Sequence, residues 1–187
     1  MKNKFKILVM VLFASTLCGC ALPFQSENYP SWTTNGVLES YTLTDGRMVD
    51  GWLGTKVLNT VNSKWFDFVV NYAEVKDEYD GYKASDGKKL VHASISITNT
   101  SDKAVYLVKD DFVLVWNLDK NERSYTYSLD SYSNDMLSDE VSINAGETKI
   151  VHVVYEIDKN ILDTMAIYYY EQYSDGQKGN KYYVYIN

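Results

Sequence analysis

Strict alternation is the feature that most limits what this chain can fold into. In LVHASISITN, residues 90–99, Val91, Ala93, Ile95 and Ile97 fall on one side of an extended strand. His92, Ser94, Ser96 and Thr98 fall on the other. A period of two builds a half-buried strand, whereas a helix with its 3.6-residue period would scatter the same residues around its surface. INAGETKIVHVVYEI, residues 143–157, repeats the pattern, with Val151, Val153, Tyr155 and Ile157 opposite His152. KWFDFVVNYAEV (64–75) is rich in aromatic and β-branched residues. VYLVKDDFVLVWN (105–117) reads as a strand or bent strand pair with Phe112, Leu114 and Trp116 on one face. RSYTYSL (123–129), TMAIYYYEQY (164–173) and NKYYVYIN (180–187) are further strands, and DKNILD (158–163) allows one helical turn. No long helical period occurs after the leader. About eight short strands at this spacing predict an all-β sandwich or barrel. The 17 tyrosines fit the same conclusion, because tyrosine suits a pleated, half-buried surface.

The segments between strands carry turn chemistry. KDEYDGYKASDGKK (76–89) reads as a long charged loop with two Asp/Gly turn signals. Before the strands, ALPFQSENYPSWTTNG (21–36) is polar and aperiodic and reads as a tether. TDGR, residues 44–47, carries an Asp-Gly signal for a hairpin at the domain's edge.

The first twenty residues have a different character. MKNKFK is basic, and ILVMVLFASTL, residues 7–17, carries no charge. That is the length of a signal-peptide hydrophobic region and too short for a permanent span, which needs about 20 apolar residues. The only cysteines, Cys18 and Cys20, follow at once. A Cys-x-Cys disulfide closes a strained ring, and no other Cys or His lies nearby to complete a metal site. Leu17, Cys18, Gly19 and Cys20 resemble the lipobox of a bacterial lipoprotein. The resemblance implies cleavage between Gly19 and Cys20, a diacylglyceryl thioether on Cys20, and a location on the extracytoplasmic face of the cell membrane. Two acyl chains suffice for stable anchoring.

A second resemblance covers residues 53–187. The aromatic strand Trp65-Phe66-Asp67-Phe68, the turn at Asn99, Thr100 and Asp102, the Asp110–Phe112 triplet, and the Ala145–Thr148 turn leading to Tyr155 occur in that order. Together they resemble a family of uncharacterised extracellular immunoglobulin-like β-sandwich domains common on Gram-positive lipoproteins. Fold relatives of that family include a mycobacterial secreted antigen. The resemblance implies the sandwich and an extracytoplasmic site, and it implies no activity. The expected organisation is a lipoprotein signal helix at 1–19; the lipidated cysteine, flexible tether and edge hairpin at 20–52; and an antiparallel immunoglobulin-like sandwich at 53–187.

The composition narrows the function. The net charge is −7, and without Lys2, Lys4 and Lys6 the remainder carries 15 basic against 25 acidic residues. Such a body repels phosphate backbones, so nucleic acid is excluded as a partner. No nucleophile elbow, metalloprotease helix or phosphate loop is present. His92 and His152 fall on the polar faces of their strands, where solvent is expected, and would be neighbours if those strands paired. No catalytic residue and no cofactor follow. Two surfaces stand out. Tyr168, Tyr170, Tyr183 and Tyr185 fall on one face if the last two strands pair antiparallel, and an exposed aromatic patch there would suit a protein or glycan partner. Asp77, Asp80 and Asp86 share one acidic loop, which offers calcium-type oxygen ligands without matching a calcium-loop spacing. The sequence therefore predicts a non-catalytic, lipid-anchored binding module for an envelope or extracellular protein or glycan, with a small-ligand or calcium-binding domain as the alternative.

Overall fold

A computed structural model describes residues 52–118, 123–137, 140–161, 163–172 and 178–186, together with three short strands before them. The signal peptide and Cys20 lie outside the described residues. The strands, in chain order, are β1 Gly36–Val37, β2 Tyr41–Thr42, β3 Met48–Val49, β4 Trp52–Lys56, β5 Thr60–Asn62, β6 Phe66–Lys76, β7 Glu78–Tyr79 and β8 Tyr82–Lys83. Then come β9 Lys88–Asn99, β10 Val105–Leu107, β11 Phe112–Trp116, β12 Ser124–Thr126, β13 Val141–Ile143, β14 Thr148–Asp158, β15 Ala166–Gln172 and β16 Lys178–Tyr185.

Two sheets make the body. One has the order β1-β4-β16-β15-β11-β12, the other β14-β9-β6-β5. Their inner faces meet in one apolar core, as expected of a sandwich. The alternating residues behave as their period demands: Val91, Ala93, Ile95, Ile97 and Val153 are fully buried. At the centre, Phe66 and Phe68 from β6 face Phe112 from β11 and Tyr169 from β15, with ring centroids 4.9–6.5 Å apart. Each such ring contributes roughly 1.5–3 kcal/mol by leaving water.

Pairing is antiparallel throughout both sheets except at β16–β4, which runs parallel. The short strands β2 and β3, on either side of Asp45-Gly46 in the sequence, pair antiparallel. β1 pairs with β4, so the sheet reaches back to Gly36. Among its described residues, DKNILD makes a turn at Lys159 and Asn160 and no helix. One other reading needs correction. Residues 76–89 are more than a charged loop, because β7 and β8 form a hairpin within them, with Tyr79 opposite Tyr82. Asp80 and Gly81 close it with φ values of 46° and 82°. Two successive positive φ angles define the tight hairpin turn that Asp-Gly favours.

Two turns of the recognised pattern meet at Asn99, which is 1% exposed. Its Nδ2 donates to the Lys103 and Ile143 carbonyls at 2.7 and 2.8 Å, and its Oδ1 accepts from Ser101 N and Oγ, both at 2.8 Å. Its backbone oxygen accepts from Gly146 N at 3.0 Å. One buried amide thus holds the 100–104 turn against the 145–148 turn.

Candidate functional site

Among the described residues, the outer face of the four-stranded sheet carries a concentration of His, Glu, Asp and Tyr side chains that the core does not explain. A bulge creates it. The register of β6 against β9 shifts between Val70 and Tyr72. The extra residue reverses the alternation, so Tyr72 and Glu74 face outward opposite Ser94 and His92. β14 continues the rows, with Val154 opposite His92 and His152 opposite Ser94. His92 and His152 are therefore diagonal neighbours on adjacent strands, within reach of each other's rings.

They use that reach. His92 Nε2 and His152 Nδ1 lie 2.7 Å apart. The rings are nearly parallel, at 12°, with centroids 5.0 Å apart. A carboxylate stands at each outer end of the pair. Glu74 Oε1 is 3.4 Å from His92 Nδ1, and Asp135 Oδ2 is 3.8 Å from His152 Nε2. Asp135 is brought there by the backbone: His152 N donates to the Asp135 carbonyl at 2.9 Å, and Leu137 N donates to the His152 carbonyl at 2.8 Å.

The pair is covered. Tyr79 of the β7–β8 hairpin stacks on His92 with ring centroids 3.9 Å apart. Its hydroxyl donates to Asp135 Oδ2 at 2.9 Å and lies 3.5 Å from His152 Nδ1. Tyr82 stacks on Tyr132 at 5.0 Å. Beneath them Leu90, Met136 and Val154 form a small second core. As a result His92 is only 2% exposed. The expectation that both histidines are surface residues on a solvent face is corrected here. The face points away from the sandwich core, but the hairpin and the 129–137 segment close over it. The expectation that they become neighbours if their strands pair holds.

Electrostatics follow from these contacts. Burial pushes the His92 imidazole below its ordinary range, partly opposed by Glu74. The hydrogen bond from Lys76 leads the lowering of the Glu74 carboxyl, which sits 2.6 Å from the Lys76 ammonium. Asp135 is lowered chiefly by the Ser133 hydroxyl, with help from Tyr79. Burial raises the Tyr79 phenol, and the neighbouring Asp135 raises it further. Burial pushes Tyr132 up to about 12, and among the described residues its hydroxyl has no hydrogen-bond partner.

Such a set can share a proton between the two imidazoles and hold it against Glu74. Among the described residues, the groups within hydrogen-bond reach of the two rings are each other, Glu74 and the Tyr79 hydroxyl.

The other sequence-derived residues lie elsewhere. Tyr168 pairs with Tyr183, and Ala166 with Tyr185, so Tyr168, Tyr170, Tyr183 and Tyr185 do share the outer face of the six-stranded sheet. Their exposure differs from an open platform: Tyr183 and Tyr185 are buried, and Arg123 lies over the Tyr183 ring at 5.3 Å. Tyr168 and Tyr170 are half-buried. Asp77 is engaged by Lys89, Asp80 closes the hairpin turn, and Asp86 lies in the next turn. Among the described residues, no three His, Cys, Asp or Glu side chains are arranged to hold a metal ion. The imidazole–carboxylate chain escaped the sequence reading because its cover is non-local. The available signal was Tyr-Asp-Gly-Tyr, two tyrosines around a hairpin turn.

The pattern of the domain-of-unknown-function family DUF4352 matches residues 55–179. The chain belongs to the DUF4352 family. Solved structures share the fold. A Bacillus subtilis protein described as a "putative lipoprotein" superposes with TM-score 0.52 at 15% identity, over 68% of this chain and 38% of that one. A functionally unknown Listeria monocytogenes protein gives TM-score 0.50 at 13% identity, over 71% and 84% of the two chains. An uncharacterised β-sandwich protein of Clostridium difficile gives 0.47 at 17% identity, over 72% and 93%. This DUF4352 chain thus spans well under half of the first of these proteins. No curated protein matches the sequence.

Proposed function

We propose that this DUF4352 chain is an extracytoplasmic lipoprotein, held to the membrane by a diacylglyceryl group on Cys20, whose sandwich acts as a non-catalytic binding module. The observation that carries the reading is the Leu17-Cys18-Gly19-Cys20 sequence behind an eleven-residue uncharged run and ahead of a β-sandwich. The "putative lipoprotein" of the same fold supports it. The engagement of both histidines with each other and with Glu74 and Asp135, beneath the stacked Tyr79 ring, supports the non-catalytic part. The partner class is an envelope or extracellular protein or glycan.

Metabolic labelling with a radioactive fatty acid tests the anchor. Wild-type protein takes up label and sediments with membranes. Cys20→Ala takes up none and stays in its uncleaved form. Label retained in Cys20→Ala overturns the anchor. For the binding module, the intact protein in detergent is used to capture partners from cell-envelope extract. One envelope protein or glycan retained at stoichiometric yield supports the reading.

A further inference from the structure

The geometry points to a proton-operated latch: the hydrogen-bridged His92–His152 pair holds the β7–β8 hairpin and the 135–137 segment against the sheet, and uptake of the proton that the bridge cannot accommodate releases them and uncovers Leu90, Met136 and Val154. This inference stands apart from the lipid anchor and from any particular partner.

The argument starts from proton counting. Two ring nitrogens 2.7 Å apart have room for one hydrogen between them. In the neutral pair one imidazole donates and the other accepts. The first added proton is accommodated: His92 Nδ1–H faces Glu74, His152 Nε2–H faces Asp135, and one hydrogen still bridges the rings. A second added proton places N–H on both facing nitrogens and sets two cations side by side. The 2.7 Å contact cannot then persist, and one ring must swing away.

Both rings are clamped beneath the cover, so their separation moves it. Tyr79 lies flat on His92 and within stacking distance of His152. Asp135 is bonded to Tyr79 and sits beside His152. The two parts of the cover meet each other through the Tyr79–Asp135 bond, and backbone bonds tie 135–137 to β14. The imidazoles add the side-chain contact by which Tyr79 rests on the sheet. From β6, Tyr72 presents its edge to both rings at 5.5 and 6.5 Å. Also from β6, Lys76 adds a positive charge that opposes further protonation. Asp80 in the hairpin turn and Tyr132 in the 129–137 segment face Tyr79, and Ser133 holds Asp135 at 2.6 Å. The hairpin itself has two residues per strand, the kind of element that opens locally at small cost. Burial already favours neutral His92, so opening takes up protons as pH falls.

Hydrogen–deuterium exchange on the intact protein between about pH 7.5 and pH 5, read as protection factors, tests the latch. Amides of 78–84 and 135–137 are expected to lose protection about tenfold per pH unit for each proton taken up, while those of 93–97 keep theirs. In the His92→Gln, His152→Asn double variant, whose amides occupy the bridging positions without titrating, the step disappears. A pH-flat cover in the wild type, or the same step in the double variant, overturns the proposal. Should the variant not fold, long-range proton–nitrogen spectra of the wild-type imidazoles decide. One shared transition coincident with loss of cover protection supports the latch. Two independent titrations with the cover unchanged overturn it.

Discussion

The Tyr155 hydroxyl donates to the Phe112 carbonyl oxygen at 2.9 Å, joining β14 of one sheet to β11 of the other through the middle of the core. Most of the force between the sheets is non-directional apolar burial, which tolerates sliding. This bond fixes a register between them.

Tyr155→Phe keeps the ring and removes the donor, leaving a buried carbonyl one partner short. The expected loss is about 1–3 kcal/mol, with the ring packing intact. Urea unfolding followed by fluorescence should show a lower midpoint with an unchanged slope. A midpoint equal to wild type would mean that the bond contributes nothing net.

Glu171 is a buried acid that serves structure. Its carboxylate accepts from Lys64 N at 2.8 Å, Asn180 N at 3.0 Å and the Tyr182 hydroxyl at 2.7 Å. Gly179 packs so closely that a Cβ there would collide with the Glu171 backbone and Cβ. Glu171→Ala removes the shared acceptor and should cost roughly 3 kcal/mol or more. Gly179→Ala should destabilise by a similar order through overpacking. Thermal melts of both variants check this, and a melt of Gly179→Ala within a degree or so of wild type would contradict the packing account.

Stability should fall in mildly acidic solution. The folded protein holds His92 below its ordinary value, whereas the unfolded chain titrates near pH 6.5. Between those values the unfolded state binds more protons, so stability decreases as pH falls through this window. Glu74 and Asp135 are both lowered, and their contribution is lost at still lower pH, below about 4. Urea midpoints measured from pH 7.5 down to 5, at about half-unit steps, should decline in the wild type and flatten in His92→Gln.

A matching loss is expected at high pH. Burial pushes Tyr132 and Tyr185 up to about 12, above the phenol value of 10. Stability carried by the neutral phenols is full below pH 10 and is lost as pH rises through that interval. Absorbance near 295 nm should show a fraction of the tyrosines ionising late and together with unfolding. Gradual, independent ionisation of all 17 near pH 10 would count against it.

The inner face of the fold was legible because period-two patterning is local. Val91, Ala93, Ile95 and Ile97 were assigned to the core from sequence, and all are fully buried. The Asn99 turn was legible as a pattern, though the four hydrogen bonds that explain its asparagine join residues up to 44 apart. The outer face was not legible. Whether His92 meets solvent depends on a hairpin with two residues per strand, too short for any periodicity, and on a segment some 40 positions further along. The β6 bulge that turns Glu74 toward His92 leaves no local signal either, because Asn71 could sit in an unbroken strand equally well. The parallel β4–β16 pairing is likewise a matter of topology.

That last pairing has a mechanical consequence. β4 and β16 lie side by side and point the same way, with Trp52 opposite Lys181 and Lys56 opposite Tyr185. Traction applied between the start of β4 and the end of β16 slides the two strands along their length. Every rung of the ladder then bears load at once, where an antiparallel hairpin pulled at its open end would yield one rung at a time. The ladder thereby shares tension carried between the start of β4 and the end of β16.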